Sequence, residues 1–138
     1  MSTIQASPLL RFALRLDAGI SLASGLLLCA APADLGARFA LSPDLLLIVG
    51  LACLPYAALL WSLARRDRLA GAGIVAIIVG NLLWADAALL LALGYGASPN
   101  VWGQGYLATH VIATTAFAVL QLLGLRRSVN LSTYPAAA

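Results

Sequence analysis

Seven polar side chains with chemistry to offer lie inside apolar sequence: Asp17, Tyr56, Asn81, Asp86, His110, Thr114 and Gln121. Ionisable groups in such surroundings are costly, and they face a bundle interior or a water-filled cavity rather than lipid. Asp86 stands about eight residues before the end of one apolar stretch, and His110 about as far into the next, so antiparallel neighbours rising about 1.5 Å per residue bring them to similar depth. The spacing predicts a hydrogen bond from a His110 ring nitrogen to Asp86. Such a pair either ties two helices together or handles a proton. His110, Thr114, Phe117 and Gln121 follow one another at spacings of four, three and four. They form one helical stripe, suited to interhelical hydrogen bonds or to lining a polar path.

A second cluster is expected at the other depth. Asp17 lies two residues from Arg15 and six from Arg11. Residues two apart do not share a helix face, so Asp17 turns inward while the arginines snorkel to the surface. Tyr56, Asn81 and Gln121 fall near the same level. Pro55 frees a carbonyl one turn earlier as a further acceptor. Asn81 and Asp86 are separated by about 140° around a helix, too far for both to face one seam. That divergence points one of them toward another helix pair or a second copy of the chain.

Four apolar stretches must position these groups, at about 8–31, 43–63, 73–93 and 99–125. Each has about the 20 residues that cross a hydrocarbon core. Ser7-Pro8, Ser42-Pro43 and Ser98-Pro99 read as N-caps followed by proline in the first turn. Pro32, the run Arg65-Arg66-Asp67-Arg68, and Gly94-Tyr95-Gly96 end the first three stretches. The residues between Asp34 and Leu41 read as a short loop, with Leu35, Phe39 and Leu41 near the headgroups. The segment 128–138 reads as a disordered tail.

Composition agrees with a membrane solvent. The chain of 138 residues is 62% hydrophobic, only 9% charged, and has a mean hydropathy of +0.97. A soluble domain carries about 25% charged residues. The expected fold is an all-α, up-down bundle of four transmembrane helices in one domain. All eight cations are arginines and all five acids aspartates. Arg11, Arg15, Arg65, Arg66, Arg68, Arg126 and Arg127 fall at one end of the bundle, and Arg38 alone at the other. The positive-inside rule then puts both termini in the cytoplasm of a multi-pass inner-membrane protein. Tyr95, Trp102 and Tyr106 form an outer aromatic belt and Trp61 an inner one. A rival reading takes the first stretch as a signal peptide cleaved near Ala31-Pro32-Ala33. Its length, its polar residues and the basic loops favour a retained helix.

Several function classes find no support. One histidine cannot supply two axial haem ligands, and Cys29 and Cys53 are too far apart in sequence for a redox motif. No glycine-rich phosphate loop, metal-ligand set or nucleic-acid motif is present, and no cofactor is expected. Ser21 and Ser24 lie near Asp17, but His110 belongs to the other leaflet, so no Ser-His-Asp set forms. Asn130-Leu131-Ser132 matches a glycosylation acceptor on the wrong side of the membrane. Ser21 with Gly25, and Ala76 with Gly80, have the spacing of close helix contacts.

The Leu9-Leu10-Arg11 run into Leu14-Arg15-Leu16, the Gly25-Leu26-Leu27-Leu28 stretch and the proline-ended first helix resemble the small bacterial four-helix membrane proteins that include the DoxX-like group. The resemblance covers mainly the first helix and the general plan. It implies a four-helix inner-membrane fold and, as for some members, kinship with membrane subunits of quinone-linked oxidoreductases; it assigns no functional residue. Chain length and helix count also resemble the small multidrug transporters, whose glutamate in the first helix is replaced here by Asp17. The leading expectation is a non-enzymatic protein acting through helix association, as a homo-oligomer or an accessory subunit. The alternatives are a small proton-coupled transporter or channel using Asp17, Asp86 and His110, and a membrane subunit of a quinone-linked redox complex.

Overall fold

A computed structural model describes residues 3–131. The elements in chain order are β1 (Thr3–Gln5), α1 (Pro8–Ala30), α2 (Pro32–Phe39), α3 (Pro43–Ala64), β2 (Arg68–Ala70), α4 (Gly71–Ala92), α5 (Val101–Arg126) and β3 (Val129–Asn130). The chain is all-helical apart from these short strands, and α1, α3, α4 and α5 are long and apolar enough to cross a membrane. At about 1.5 Å per residue, 22 residues give about 33 Å, the thickness of a hydrocarbon core.

Two of the three expected helix starts stand. Ser7 Oγ accepts from Leu10 N–H at 3.1 Å, and Ser42 Oγ accepts from Leu45 N–H at 3.4 Å, each with proline in the first turn. The third is corrected. α5 begins at Val101, and its cap is Asn100, whose Oδ1 accepts from Trp102 and Gly103 N–H, both at 3.0 Å. Asn100 wins over Ser98 because it is also tied to the end of α2. Its N–H donates to Phe39 O at 3.2 Å and its Nδ2 to Arg38 O at 2.8 Å.

The expected loop after the first span is the helix α2. Pro32 ends α1 but also suits the first turn of a new helix, with Asp34 near its N-terminus and Arg38 near its C-terminus. Leu41 is buried, and the Phe39 ring stacks on Tyr106 at 4.9 Å. Tyr106 is therefore half-buried, whereas Tyr95 and Trp102 are exposed as an interfacial belt requires.

At the opposite end β1 lies between β2 and β3, antiparallel to both, with Ile4 opposite Leu69 and Gln5 opposite Val129. Ile4 and Leu69 are buried there. This small sheet joins the N-terminal segment, the α3–α4 connection and the end of α5. It also revises the expected tail: 129–130 are strand, and 132–138 lie outside the described residues. Ser7 reinforces the junction by donating from Oγ to Gly124 O at 2.7 Å. A Cβ on Gly124 would stand 2.6 Å from the Leu10 backbone, so only glycine admits this approach of α5 to α1.

α1 packs against α3 and α5, and α4 packs against α5. Gly25 of α1 and Gly50 of α3 face each other: a Cβ on Gly25 would meet Gly50 O at 3.1 Å. The Ala76–Gly80 pair makes no such contact, and both residues are exposed. α3 and α4, although joined by a short link, make little contact with each other. The bundle is thus a ring in the order α3, α1, α5, α4 with an open last seam. Its outer surface is covered with Leu, Ile and Val side chains, as lipid contact demands. Cys29 and Cys53 are free thiols.

Candidate functional site in the bundle interior

Asp17 sits on the inward face of α1 and is 1% exposed. Every other long helix sends a polar side chain to it. Ser21, one turn along α1, donates from Oγ to Asp17 Oδ1 at 3.1 Å. Asn81 of α4 donates from Nδ2 to Oδ2 at 2.9 Å, and Gln121 of α5 donates from Nε2 to Oδ2 at 2.8 Å. The Tyr56 hydroxyl of α3 lies 3.3 Å from Oδ2 and 3.0 Å from Asn81 Oδ1. Asn81 Nδ2 also reaches Gln121 Oε1 at 3.1 Å. The four residues expected at this depth, Asp17, Tyr56, Asn81 and Gln121, are therefore brought together, and Ser21 joins them.

No cation enters this cluster. The one salt bridge among the described residues joins Arg11 to Asp67 at 2.7 Å on the surface. A carboxyl without a counter-ion is expensive to bury, and hydrogen bonds with neutral side chains satisfy its oxygens here. Among the described residues no buried side-chain nitrogen or oxygen lacks a partner.

The other expected contact is not formed. His110 Nε2 accepts from Trp84 Nε1 at 2.5 Å. Asp86 is exposed on the far side of α4 and has no hydrogen bond or ion pair among the described residues. Asp86 and His110 lie at similar depth, but the azimuth of Asp86 on α4 separates them. Asn81 takes the inward face of α4 together with Ile74, Ile77, Ile78, Ala85 and Ala88, and that turns Asp86 outward. Trp84, three residues after Asn81, was the signal missed: it shares a side of α4 with Asn81 at the level of His110. Thr114 is buried, but its hydroxyl donates to His110 O in its own helix at 2.9 Å and not to the cluster. Pro55 lies inside the continuous helix α3, and no described side chain bonds the carbonyl one turn earlier that was expected as an acceptor.

Above the cluster is a cleft of about 310 Å³. Asp17, Ser21, Tyr56, Gly80 and Asn81 line one end and Trp84 and His110 the other, with Cys53 and Phe117 between. A second hollow of about 290 Å³ continues toward α2 and is walled by Leu41, Leu46, Val49, Leu91 and Leu107. Trp84 and His110 border both. The two hollows follow the seam where α3 and α4 separate.

The chemistry available is narrow. One carboxyl, ringed by neutral donors, stands at one end of a largely apolar cleft. It can hold a proton or meet a donor on a small molecule. Ser21 bonds Asp17 while His110 is committed to Trp84, so His110 does not join them in a Ser-His-Asp set. Among the described residues no group of His, Cys and Asp side chains is placed to hold a metal ion.

The cluster's contribution to stability is measurable. Asn81→Leu removes contacts to Asp17, Tyr56 and Gln121 at once, and should destabilise the folded protein by about 1–3 kcal/mol, the cost of stranding buried polar groups. Thr114→Val removes a bond within one helix and should cost less than about 0.6 kcal/mol, the mean for polar contacts in a membrane bundle. Equilibrium unfolding in bicelles compares the two; equal losses would show that Asn81 is not a hub. No family model, curated protein or solved structure matches the chain.

Proposed function

We propose that this protein is a membrane-embedded binding or transport protein. Its cleft between α3 and α4 admits a small, largely apolar molecule from the bilayer and presents the Asp17 cluster to that molecule's polar end. The carrying observation is the placement of the buried carboxyl at one end of a hollow whose walls are largely apolar and which follows an open helix seam. Ligand sites of this kind combine a mostly apolar lining with a few convergent polar groups.

In this reading the four long helices cross the membrane in alternating directions, with the sheet-bearing end in the cytoplasm. Arg11, Arg15, Arg65, Arg66, Arg68, Arg126 and Arg127 gather toward that end, which supports the orientation. The resemblance to small DoxX-like proteins supports a bacterial inner membrane as the location.

The seam can be probed through Trp84. In a protein carrying Trp61→Phe and Trp102→Phe, reconstituted in vesicles of dibrominated phosphatidylcholine, Trp84 fluorescence should be quenched several-fold by acyl chains entering the cleft. Gly80→Leu, at a position with open space around its Cα, should relieve much of the quenching. Unquenched Trp84 fluorescence would show the seam closed to the bilayer and end this reading.

A second reading has its own observation. Asp86 is exposed on α4 amid Leu82, Leu83, Leu89 and Leu90, where a lone carboxyl is costly in lipid. A second copy or another membrane subunit packed on α4 would cover it, and the protein would act through helix association. Asp86→Leu should then convert an oligomer to monomers in mass photometry of nanodiscs. Wild-type monomers at every protein-to-lipid ratio would remove self-association as the explanation.

A further inference from the structure

Six short contacts link the polar side chains around Asp17, and their protons can be counted. Ser21 supplies one, Tyr56 one, Asn81 two and Gln121 one, which makes five when Asp17 is a carboxylate. The shortfall is at Tyr56. Its hydroxyl carries a single proton but lies within reach of two acceptors, Asp17 Oδ2 at 3.3 Å and Asn81 Oδ1 at 3.0 Å. With that proton on the shorter contact, Tyr56 Oη and Asp17 Oδ2 face each other as two acceptors.

We infer that the Asp17 cluster is a binding site for one proton, held on Asp17 Oδ2 and donated to Tyr56 Oη, and that this proton latches α3 to α4. When it is bound, all six contacts are satisfied: Asp17 donates to Tyr56, Tyr56 donates to Asn81, and Oδ2 still accepts from Asn81 and Gln121. When the proton leaves to water, the carboxylate recruits the Tyr56 hydroxyl, because a hydrogen bond to a charged acceptor is the stronger one. Asn81 Oδ1 then loses its donor. The Tyr56–Asn81 bond is the one side-chain hydrogen bond between α3 and α4 among the described residues, and it spans the open seam. Release of the proton therefore unfastens the two helices that flank the cleft.

The charged and titratable surroundings are sparse. α3 contributes Cys53 and Tyr56 to the cleft wall, and α5 contributes His110 at the far end, bonded to Trp84. α4 contributes only the neutral Asn81 and Trp84 as polar groups, since Asp86 turns away, and no arginine lines the cleft. No fixed cation can stand in for the proton. The proton site is independent of whatever occupies the cleft.

Infrared spectroscopy of the reconstituted protein with carboxyl-labelled aspartate reads the proton directly. Near neutral pH one protonated carboxyl band should appear among the five aspartates. It should vanish in Asp17→Asn, shift in Tyr56→Phe, and stay unaltered in Asp86→Asn. If Asp17→Asn does not fold, the shift in Tyr56→Phe assigns the band. Five ionised aspartates in the wild type, or a protonated band that follows Asp86 or ignores Tyr56, would overturn the inference.

Discussion

A buried carboxyl without a cation is the constraint on which the rest of this structure depends. Asp17 cannot stay in the bundle interior unless its oxygens are satisfied, and α1 alone provides only Ser21. The remaining contacts come from α3, α4 and α5, so the requirement of one side chain fixes the rotation of three other helices. On α4 this has a visible consequence: with Asn81 turned inward, Asp86 must face outward. In lipid, where apolar contact hardly distinguishes a helix from its solvent, directed polar contacts of this kind set register more than they set stability.

The two ends of the bundle supply the complementary constraint. The strands and Ser7 bind the N-terminal segment, the α3–α4 link and the end of α5 into one cap. α2 and Asn100 form the other, with Phe39 stacked on Tyr106. Held at both ends, the bundle closes tightly where glycines allow it, at Gly25 with Gly50 and at Gly124 with Leu10. It leaves the α3–α4 seam open. The cleft is the space left by that arrangement, and the Asp17 cluster is its polar end.

The inner cluster was legible in the sequence because depth could be counted from the ends of the apolar stretches and a lone acid among leucines has few ways to face. Asp86 with His110 was misread because depth does not fix azimuth; a single helix can turn only one of Asn81 and Asp86 inward, and the competing partner was an indole. α2 was hidden because Pro32 ends one helix and begins another. The start of α5 was misplaced because the decisive bonds of Asn100 go to Arg38 and Phe39, far away in the chain. Strands of two and three residues carry too little pattern to be seen before their partners are known.

Asp17 is held by α4 and α5 together. Solid-state NMR can test it with dipolar recoupling between carboxyl-labelled aspartate and side-chain-labelled asparagine and glutamine in lipid bilayers. Asn81 Nδ2 and Gln121 Nε2 lie 2.9 and 2.8 Å from Asp17 Oδ2, so both amides should dephase the same carboxyl carbon strongly. The effect should disappear in Asp17→Ser. Dephasing from neither amide, or from one alone, would contradict the account of Asp17 as the hub of the bundle.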